Sequence, residues 1–420
     1  MLFTFYRNLT NILSFPILIF FFLRLINKKE TKKSFSEKFG FYKFKRPKGK
    51  VIWINAVSIG ESLSVIPIIN KIHFHYPNYN ILITTSTITS EKVIKKLDLK
   101  NVIHQFSPLD ISYVVKKFFR YWNPSLSIFV ESELWPNMIF ESKKCNNINF
   151  LINARLSEKT FLRWKRFPNH IKKIFEKFDL CLSQDDVSKK RFEILGMKDI
   201  KNIGNIKFFS DNPSYEHNDF KKLKNQVNDR FIILLVSSHE KEEELLLSIK
   251  DELALSIPNL LTILLPRHIN RSFKIQNLIK QKGFEFSTRS KLEKISYETK
   301  CYLADTVGEV GLFYKISDIV IIGGSFVDHG GQNPIEASHF NVPIIFGPYM
   351  QNFLEISQKL LKNKAALNAD KDNLRNRIVK LYSDKQLRSL KSKNLRTYCL
   401  NEKKKFKIMW IELDKYISKI

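Results

Sequence analysis

A carboxylate that could act as a base follows the first apolar run of the sequence. Glu61 comes shortly after Val51–Val57, a run that is typical of a buried strand. At the end of such a strand, a carboxylate could remove a proton from a substrate hydroxyl if burial raised its pKa. Ser58 and Glu61 also have the spacing of a capping box, so Glu61 could equally cap a helix.

Two more carboxylates, Glu131 and Glu133, come directly after the apolar run Leu126–Val130. They could bind a metal ion or a sugar hydroxyl, or take part in acid–base chemistry. Alternatively, the segment starts a helix, with Ser132 as its cap and Pro136 near its first turn. The sequence leaves both interpretations open.

A glycine-rich stretch in the second half, Gly323–Glu336, predicts an anion site. It follows the apolar run Asp318–Ile322 and holds four of the thirteen glycines of the chain. Asn333, Pro334 and Glu336 suit the N-cap, N1 and N3 positions of a helix. Free N–H groups and the positive end of a helix dipole would then meet an anion. A tight loop before a well-capped helix, with no ligand, is the alternative.

Basic residues at other predicted strand ends could contact that anion. Arg155 and Lys207 each follow an apolar run in the first half, and Pro266–His268 follows Leu260–Leu265. An arginine fork suits a phosphate, although a lone basic residue is usually solvated surface. Asp305–Val310 follows a further run and opens a predicted helix.

The elements that would position these residues alternate between strands and helices. Helical patterns at Ser62–His75 and Ser157–Phe178 separate apolar runs, and a lysine-rich helix begins near Lys385. The predicted strands are Val51–Val57, Ile81–Thr85, Val102–Phe106, Leu126–Val130, Phe150–Asn153, Leu180–Ser183, a strand near Ile203, Phe231–Val236, Leu260–Leu265, Cys301–Ala304, Ile319–Ile322 and Pro343–Phe346.

This alternation predicts an α/β protein of two doubly wound units, each with a parallel sheet covered on both faces. The units are expected at residues 31–210 and 230–420, joined by a polar linker at residues 211–229. Polar residues at the carboxyl ends of the strands would then line a ligand cleft between the units.

The first 30 residues predict a membrane anchor. The segment between Arg7 and Arg24 is uncharged and strongly apolar, although Pro16 interrupts it. Four lysines within Lys28–Lys33 follow it, which predicts that the rest of the chain faces the cytoplasm. A cleaved signal peptide would need a small-residue cleavage site that the sequence lacks, and a core helix would not be apolar on all sides.

The composition predicts a polyanionic partner. The 420 residues carry a formal charge of +29, which suits an anionic membrane surface, a phosphorylated substrate or a nucleic acid. The basic residues are dispersed and form no recognised nucleic-acid-binding module, so a nucleic acid is not expected. The four scattered cysteines have neither disulfide nor metal-site spacing, which indicates a reducing compartment.

Taken in order, the motifs resemble those of the Kdo transferase family, membrane-anchored glycosyltransferases that add 3-deoxy-manno-octulosonic acid (Kdo) to the lipid A precursor. The matching segments are Ala56–Glu61, Ser107–Asp110, Glu131–Asn137, Asn153–Ser157, Gly204–Phe208, Ser238–Glu240, Pro266–His268, Gly308–Glu309 and Gly323–Glu336. The resemblance implies a GT-B fold of two Rossmann-like domains facing a cleft. It also implies an inverting transfer from CMP-Kdo to lipid IVA, without metal or cofactor, in lipopolysaccharide core biosynthesis at the cytoplasmic side of the bacterial inner membrane.

The resemblance also assigns roles to individual residues. Glu61 would accept the proton of the acceptor hydroxyl, and Glu131 and Lys207 would stabilise the transition state. The CMP-binding residues would be Pro266, Arg267, Gly308, Glu309, Val310, Asn333, Pro334, Ile335 and Glu336. Gln332 stands where the family usually has histidine, and a neutral amide cannot supply a positive charge there.

Two other classes of protein are compatible with parts of the pattern. A GT-B enzyme that acts on soluble substrates, such as a nucleotide-sugar transferase or epimerase, would share the fold and the glycine-rich turn. It would need neither the anchor nor the segment Glu131–Asn137. A membrane-tethered nucleic-acid-binding protein would explain the charge but not the motifs.

Overall fold

The computed structural model describes residues 2–97, 99–209, 212–227 and 229–420, with Leu2 described by its backbone alone. The chain divides into two compact units, one of residues 1–210 with 402–420 and one of residues 211–401. Residues 210, 211 and 228, which belong to the expected boundary and linker, lie outside the described residues. Each unit is built on its own seven-stranded parallel sheet.

The first unit contains strands in the order β3-β2-β1-β4-β5-β6-β7. Its strands are β1 (Val51–Asn55), β2 (Asn80–Thr85), β3 (Val102–Phe106), β4 (Leu126–Val130), β5 (Ile148–Ala154), β6 (Leu180–Ser183) and β7 (Ile200–Asn202). Its helices are α1 (Leu2–Ile12), α2 (Ser14–Ile26), α3 (Lys32–Lys38), α4 (Ile59–Ser64), α5 (Ile66–His75), α6 (Ile88–Lys96), α7 (Ser112–Trp122), α8 (Pro136–Lys144), α9 (Glu158–Lys165), α10 (Pro168–Phe175) and α11 (Asp186–Ile194), with a 3-10 turn at Ile206–Phe209.

Burial on both faces explains why these apolar runs form a parallel sheet. Every residue of β1 and β4 is buried, which is the pattern of central strands covered by helices on each side. Trp53 of β1 is one of two fully buried tryptophans, and its ring lies 4.8 Å from that of Phe118 and 5.3 Å from that of Phe129. This packing fixes the central strands and, with them, the sheet edge at their carboxyl ends.

The second unit repeats this architecture with the strand order β10-β11-β9-β8-β12-β13-β14. Its strands are β8 (Phe231–Ser238), β9 (Leu260–Pro266), β10 (Phe286–Thr288), β11 (Cys301–Leu303), β12 (Ile319–Ile322), β13 (Ile344–Phe346) and β14 (Leu367–Asn368). Its helices are α12 (His217–Gln226), α13 (Glu242–Ser248), α14 (Lys250–Ser256), α15 (Ser272–Gln281), α16 (Val310–Ile316), α17 (Leu354–Lys362), α18 (Leu374–Ser383) and α19 (Lys385–Ile417), of which α19 extends into the residues grouped with the first unit.

The predicted fold class is confirmed: both halves form helix-covered parallel sheets. The predicted helix Ser62–His75 is two helices, since α4 ends and α5 begins around Val65. The predicted helix Ser157–Phe178 is also two, because Pro168 starts α10 and cannot continue α9. The segment 211–229, expected to be linker, contains α12, and α19 begins where the lysine-rich helix was expected.

The amino-terminal segment forms α1 and α2, which meet at an angle of 49°. Within the described residues, no single helix is long and apolar enough to cross a bilayer, although this bent pair together meets the length and composition. The break lies at Leu13 and not at Pro16, because Pro16 occupies the first turn of α2, where its missing N–H needs no partner. Large apolar side chains of both helices are exposed, among them Phe5, Ile12, Phe15 and Ile26.

Candidate functional site

Glu61 lies in the first turn of α4, at the carboxyl end of β1, and both of its carboxylate oxygens accept hydrogen bonds. Ser58 Oγ donates to Oε1 at 2.7 Å, and Val57 N donates to Oε2 at 2.9 Å. Ser58 Oγ in turn accepts from Glu61 N at 3.2 Å. The predicted cap is therefore confirmed. A capping carboxylate at this edge can still accept a proton, so the cap does not decide between the two interpretations.

The surroundings of Glu61 raise its pKa. Burial is the largest cause, and the neighbouring carboxylate of Glu131 adds to it. The bonds from Ser58 and Val57 and the positive charge of Lys207 act in the opposite direction. A raised pKa brings a carboxylate nearer to the range in which a general base works well at neutral pH.

Glu131 and Lys207, assigned together from the sequence, are in contact. Lys207 Nζ lies 3.4 Å from Glu131 Oε1, and Asn153 Nδ2 donates to the same oxygen at 3.3 Å. Asn153 Oδ1 also accepts from Ile206 N at 3.1 Å, which ties the 3-10 turn carrying Lys207 to the end of β5. Glu131 and Asn153 have φ values of +59° and +51°. Such left-handed backbone costs about 1–2 kcal/mol per residue, so packing must hold these strand ends in place.

Glu133, left without a role by the resemblance, belongs to the same cluster. Its carboxylate accepts a hydrogen bond from the indole Nε1 of Trp135. Burial raises the pKa of Glu133 to about 7; the Trp135 bond lowers it, and the carboxylates of Glu61 and Glu131 raise it further. Ser132 does not cap α8, because its hydroxyl donates to Arg155 O at 2.6 Å. The first unit thus gathers three carboxylates and one lysine at its sheet edge.

The second unit places the residues assigned to CMP at the carboxyl ends of β9, β11 and β12. Pro266 is the last residue of β9, and the exposed Arg267 follows it. Gly308, Glu309 and Val310 form the turn into α16, in which Gly308 has φ +92°. The Glu309 carboxylate accepts from Arg289 and Thr306. Its bond with Arg289 is the main reason that its pKa is lowered.

The glycine-rich turn is occupied by a side chain of the protein itself. Glu242 accepts hydrogen bonds from the N–H groups of Gly324, Ser325 and Phe326 at 2.7, 3.0 and 3.0 Å, and from His239 N at 2.9 Å. The expectation that these N–H groups cradle a ligand anion is therefore wrong. Position 323, directly after β12, requires glycine, because a Cβ there would overlap the Ser237 carbonyl.

The prediction of an α-helix after this turn is also wrong. Asn333 Oδ1 accepts from Ile335 N at 3.0 Å, and a short 3-10 turn follows at Glu336–Phe340. Glu336 accepts from Asn333 Nδ2 at 3.1 Å and from Tyr314 Oη at 3.4 Å. Asn333 thus makes a local side-chain turn, a conformation that competes with a helical cap. The positions of Pro334 and Ile335 are buried beside it.

Gln332 contacts a group of histidines next to the same turn. Its Nε2 lies 3.1 Å from His239 Nε2, and the His239 ring stacks on that of His329 with 4.2 Å between centroids. His268 lies 5.9 Å from His239. Burial, followed by these two rings and the nearby arginines, lowers the pKa of His239 to about 4. His239 is therefore neutral at pH 7. Of the two arginines that lower its pKa, Arg271 is paired with Glu243, and Arg267 is exposed.

Sequence reasoning missed Glu242, which binds four backbone N–H groups. It named Glu133 without choosing its role, and Asp110 only as part of a matching segment. Across the described residues, no group of three or more His, Cys, Asp or Glu side chains could hold a metal ion.

Two seven-stranded parallel sheets, each covered by helices, define the class of protein by its fold, a GT-B-like α/β fold. A solved glycosyltransferase from Rickettsia africae has this fold, with a TM-score of 0.61 and 14% identity, covering 89% of this chain and 100% of that chain. At this identity the likeness concerns the fold alone.

The sequence comparisons identify the family within this class. A model of the family 3-deoxy-D-manno-octulosonic-acid transferase (kdotransferase) matches residues 33–210. The 3-deoxy-D-manno-octulosonic acid transferase of Rickettsia bellii is 33% identical over 376 residues, which are 89% of each chain. The enzyme of the same name from Haemophilus influenzae is 34% identical over 398 residues, 91% of each chain. The chain belongs to the Kdo transferase family, and the resemblance stated from its motifs is confirmed.

Proposed function

We propose that this protein transfers Kdo from CMP-Kdo to a hydroxyl group of the lipid A precursor, in lipopolysaccharide biosynthesis. The observation that carries the proposal is the cluster of Glu61, Glu131 and Lys207 at one sheet edge, in a chain that belongs to the Kdo transferase family. The cluster supplies a carboxylate with a raised pKa beside a cation, which is what base-assisted attack by a hydroxyl needs.

The proposed reaction is a single inverting displacement. The acceptor hydroxyl oxygen attacks the anomeric carbon of Kdo while Glu61 takes its proton. The bond from that carbon to the phosphate oxygen breaks, and CMP leaves with the electron pair. The hydrogen bonds from Ser58 and Val57 to the two oxygens of Glu61 keep the carboxylate oriented for this proton transfer.

Lys207 and Glu131 would act on the developing charges. The ammonium group of Lys207 is held by Glu131, and the Asn153–Ile206 bond fixes the turn that carries Lys207. It is therefore a positive charge that needs no reorganisation during the reaction. A displacement at an anomeric carbon also builds up positive charge on the sugar. The negatively charged Glu131 carboxylate would stabilise that charge.

The donor nucleotide would bind to the second unit through Arg267 and through backbone groups. Arg267 is exposed and suits the phosphate. The Glu309 carboxylate already binds Arg289, so the turn Gly308–Val310 would contact CMP mainly through its backbone. Asn333–Glu336 would form the neighbouring wall, while the N–H groups of Gly324–Phe326 would take no part.

Helices α1 and α2 would attach the protein to the anionic inner membrane on its cytoplasmic side. Their exposed apolar side chains and the basic residues Arg24, Lys28 and Lys29 support this proposal. Apolar area favours insertion, and each basic residue near anionic lipids adds about 1 kcal/mol. The acceptor would be found at the same membrane, which also explains part of the high net charge.

A donor assay tests the reaction class. The full chain in vesicles containing the lipid A precursor is incubated with labelled CMP-Kdo or with labelled UDP-sugars. Label should move to the lipid from CMP-Kdo only. Transfer from a UDP-sugar alone would contradict the proposal, and Glu61→Gln is the matched control for transfer at a different site.

A further inference from the structure

We propose that Asp110 and Asn137 form a junction that holds α1 against the start of α8, and that this junction positions the loop Glu131–Trp135 for a membrane-borne acceptor. The inference rests on the function proposed above. It gives a role to two segments of the motif series, Ser107–Asp110 and Trp135–Asn137, that the reaction itself does not use.

The Asp110 carboxylate joins three segments. Oδ1 accepts from Met138 N at 2.9 Å, while Oδ2 accepts from Asn137 N at 3.1 Å and from Tyr6 Oη at 2.9 Å. Asn137 and Met138 lie in the first turn of α8, whose N–H groups have no partner within the helix. A side chain from outside α8 therefore fixes where that helix begins.

Asn137 makes a second connection to α1. Its Nδ2 donates to Thr10 Oγ1 at 3.2 Å and to Asp110 O at 2.6 Å. Tyr6 and Thr10 are four residues apart and so lie on one face of the helix. The ring of Phe3, one turn earlier, stacks on Phe140 of α8 with 3.9 Å between centroids. The face of α1 that carries Phe3, Tyr6 and Thr10 thus contacts α8 directly at two points, while the helix itself packs against α7.

Other apolar side chains of α1 point away from this junction. Phe5 and Ile12 are 62% and 74% exposed, and Leu9 is 37% exposed. One short helix therefore has a polar face bound to α8 and an apolar face suited to lipid. A displacement of α1 would reach the start of α8 through Asp110 and through the direct contact between Thr10 and Asn137.

The segment before Asp110 extends the junction to α2 and to β1. Ser107 Oγ donates to Asn55 Oδ1 at 2.9 Å, at the end of the strand that precedes Glu61. Leu109 N donates to Lys38 O at 3.0 Å, and its side chain packs in a cluster with Ile17 and Phe21 of α2. Ser107, Leu109 and Asp110 thus connect α1 and α2 to the end of β1 and to the start of α8.

The loop that carries the acidic cluster is held at both ends and at two points between them, since the Ser132 hydroxyl donates to Arg155 O at 2.6 Å and Leu134 packs against the core. At its start, Glu131 N donates to Ile152 O at 2.9 Å, and Lys207 holds the carboxylate. At its end, Asp110 fixes α8. Between these points lie Glu133 and the half-exposed Trp135. Loosening the Asp110 end should therefore move Glu133 and Trp135, which would weaken acceptor binding and leave the donor site of the other unit unchanged.

The test uses Tyr6→Phe in the full chain, with transfer from CMP-Kdo measured in vesicles containing the lipid A precursor. Loss of one hydrogen bond of this kind should raise the KM for the lipid acceptor about two- to tenfold. The KM for CMP-Kdo, kcat and retention on the vesicles should stay unchanged. Tyr113→Phe, on the exposed face of α7, is the matched control and should change nothing.

Asp110→Asn should raise the acceptor KM further, since it turns one acceptor oxygen into a donor that faces N–H groups. If that variant fails to fold, Tyr6→Phe remains decisive. An unchanged acceptor KM in Tyr6→Phe, an equal rise in the KM for CMP-Kdo, or a loss of vesicle retention that accounts for the change would each overturn the junction. Absence of transfer by the unmodified chain would instead overturn the proposed function and this inference with it.

Discussion

The acidic residues at the sheet edge of the first unit have fewer positive partners than their counterparts in the second. Glu61 and Glu133 have raised pKa values, and Lys207 is the cation that acts on Glu61. In the second unit, Arg289 holds the pKa of Glu309 below its usual range, whereas burial raises the pKa of Glu242 and Glu336 although hydrogen bonds from backbone N–H groups and from Asn333 and Tyr314 act in the opposite direction. Under the function proposed above, Glu61 of the first unit would accept the proton, and the exposed Arg267 of the second unit would bind the donor phosphate.

This difference separates the tasks of the two units. A base needs a carboxylate that protonates near neutral pH, whereas a site for a nucleotide phosphate needs carboxylates that do not repel it. The comparison predicts that substitutions in the first unit change the reaction rate, and that substitutions in the second change nucleotide affinity. The largest expected effect comes from the base.

Glu61→Gln should lower kcat by about 10²–10⁴-fold, because the amide cannot take the proton of the acceptor hydroxyl. CMP affinity, measured by calorimetry, should stay as it is in the unmodified chain. The matched control is Glu158→Gln, in the first turn of α9 after the cap Ser157, where the carboxylate is largely exposed. Near-normal turnover in Glu61→Gln would mean that Glu61 is a cap only.

Arg267→Ala should weaken CMP binding about 10- to 100-fold, since a hydrogen bond to a charged group contributes about 1.5–3 kcal/mol. At saturating donor, kcat should change much less. Arg396→Ala is the control, because this exposed arginine of the same unit binds Asn341, ahead of β13. Equal CMP affinity in Arg267→Ala and the unmodified chain would refute the assigned contact.

Glu242→Gln should reduce the stability of the second unit, because one carboxylate serves four N–H groups and an amide presents only one acceptor oxygen. We expect a loss of about 1–3 kcal/mol in the free energy of unfolding by denaturant. Glu240→Gln, an exposed neighbour, should have no effect. If both variants unfold alike, the turn does not depend on Glu242.

The smallest expected effect is a pair of opposite shifts in the pH profile of kcat/KM. The base works when it is deprotonated, so activity falls as the pH drops through the pKa of Glu61. Glu131→Gln removes a charge that raises this pKa and should move the acidic limb to lower pH. Lys207→Met removes a charge that lowers it and should move the limb to higher pH. If both variants moved the acidic limb in the same direction, the proposed effects of Glu131 and Lys207 on the pKa of Glu61 would be contradicted.

Much of the fold could be predicted because central strands are continuous apolar runs. β3, β4, β6 and β12 begin and end at the predicted residues, whereas β10 and β14 are three and two residues long and have no periodicity to detect. Helix breaks were missed where a proline starts a new helix within an apolar pattern, as at Pro168.

The candidate site could be predicted only where its bonds are local. The Ser58–Glu61 spacing predicts a cap, and the cap forms. Glu242 and Gly324 are 82 residues apart, so no spacing reveals that a carboxylate fills the glycine-rich turn. The contact between Glu131 and Lys207 is likewise set by strand order, and the sequence supplied it only through the family resemblance.

Mass spectrometry of the lipid product tests the central claim most directly. The full chain is incubated with CMP-Kdo and vesicles containing the lipid A precursor, and the lipid mass is compared with that from the Glu61→Gln reaction. The account predicts a gain of one or more Kdo residues with the unmodified chain and hardly any with the variant. An unchanged lipid mass with the unmodified chain, or an equal gain with Glu61→Gln, would contradict it.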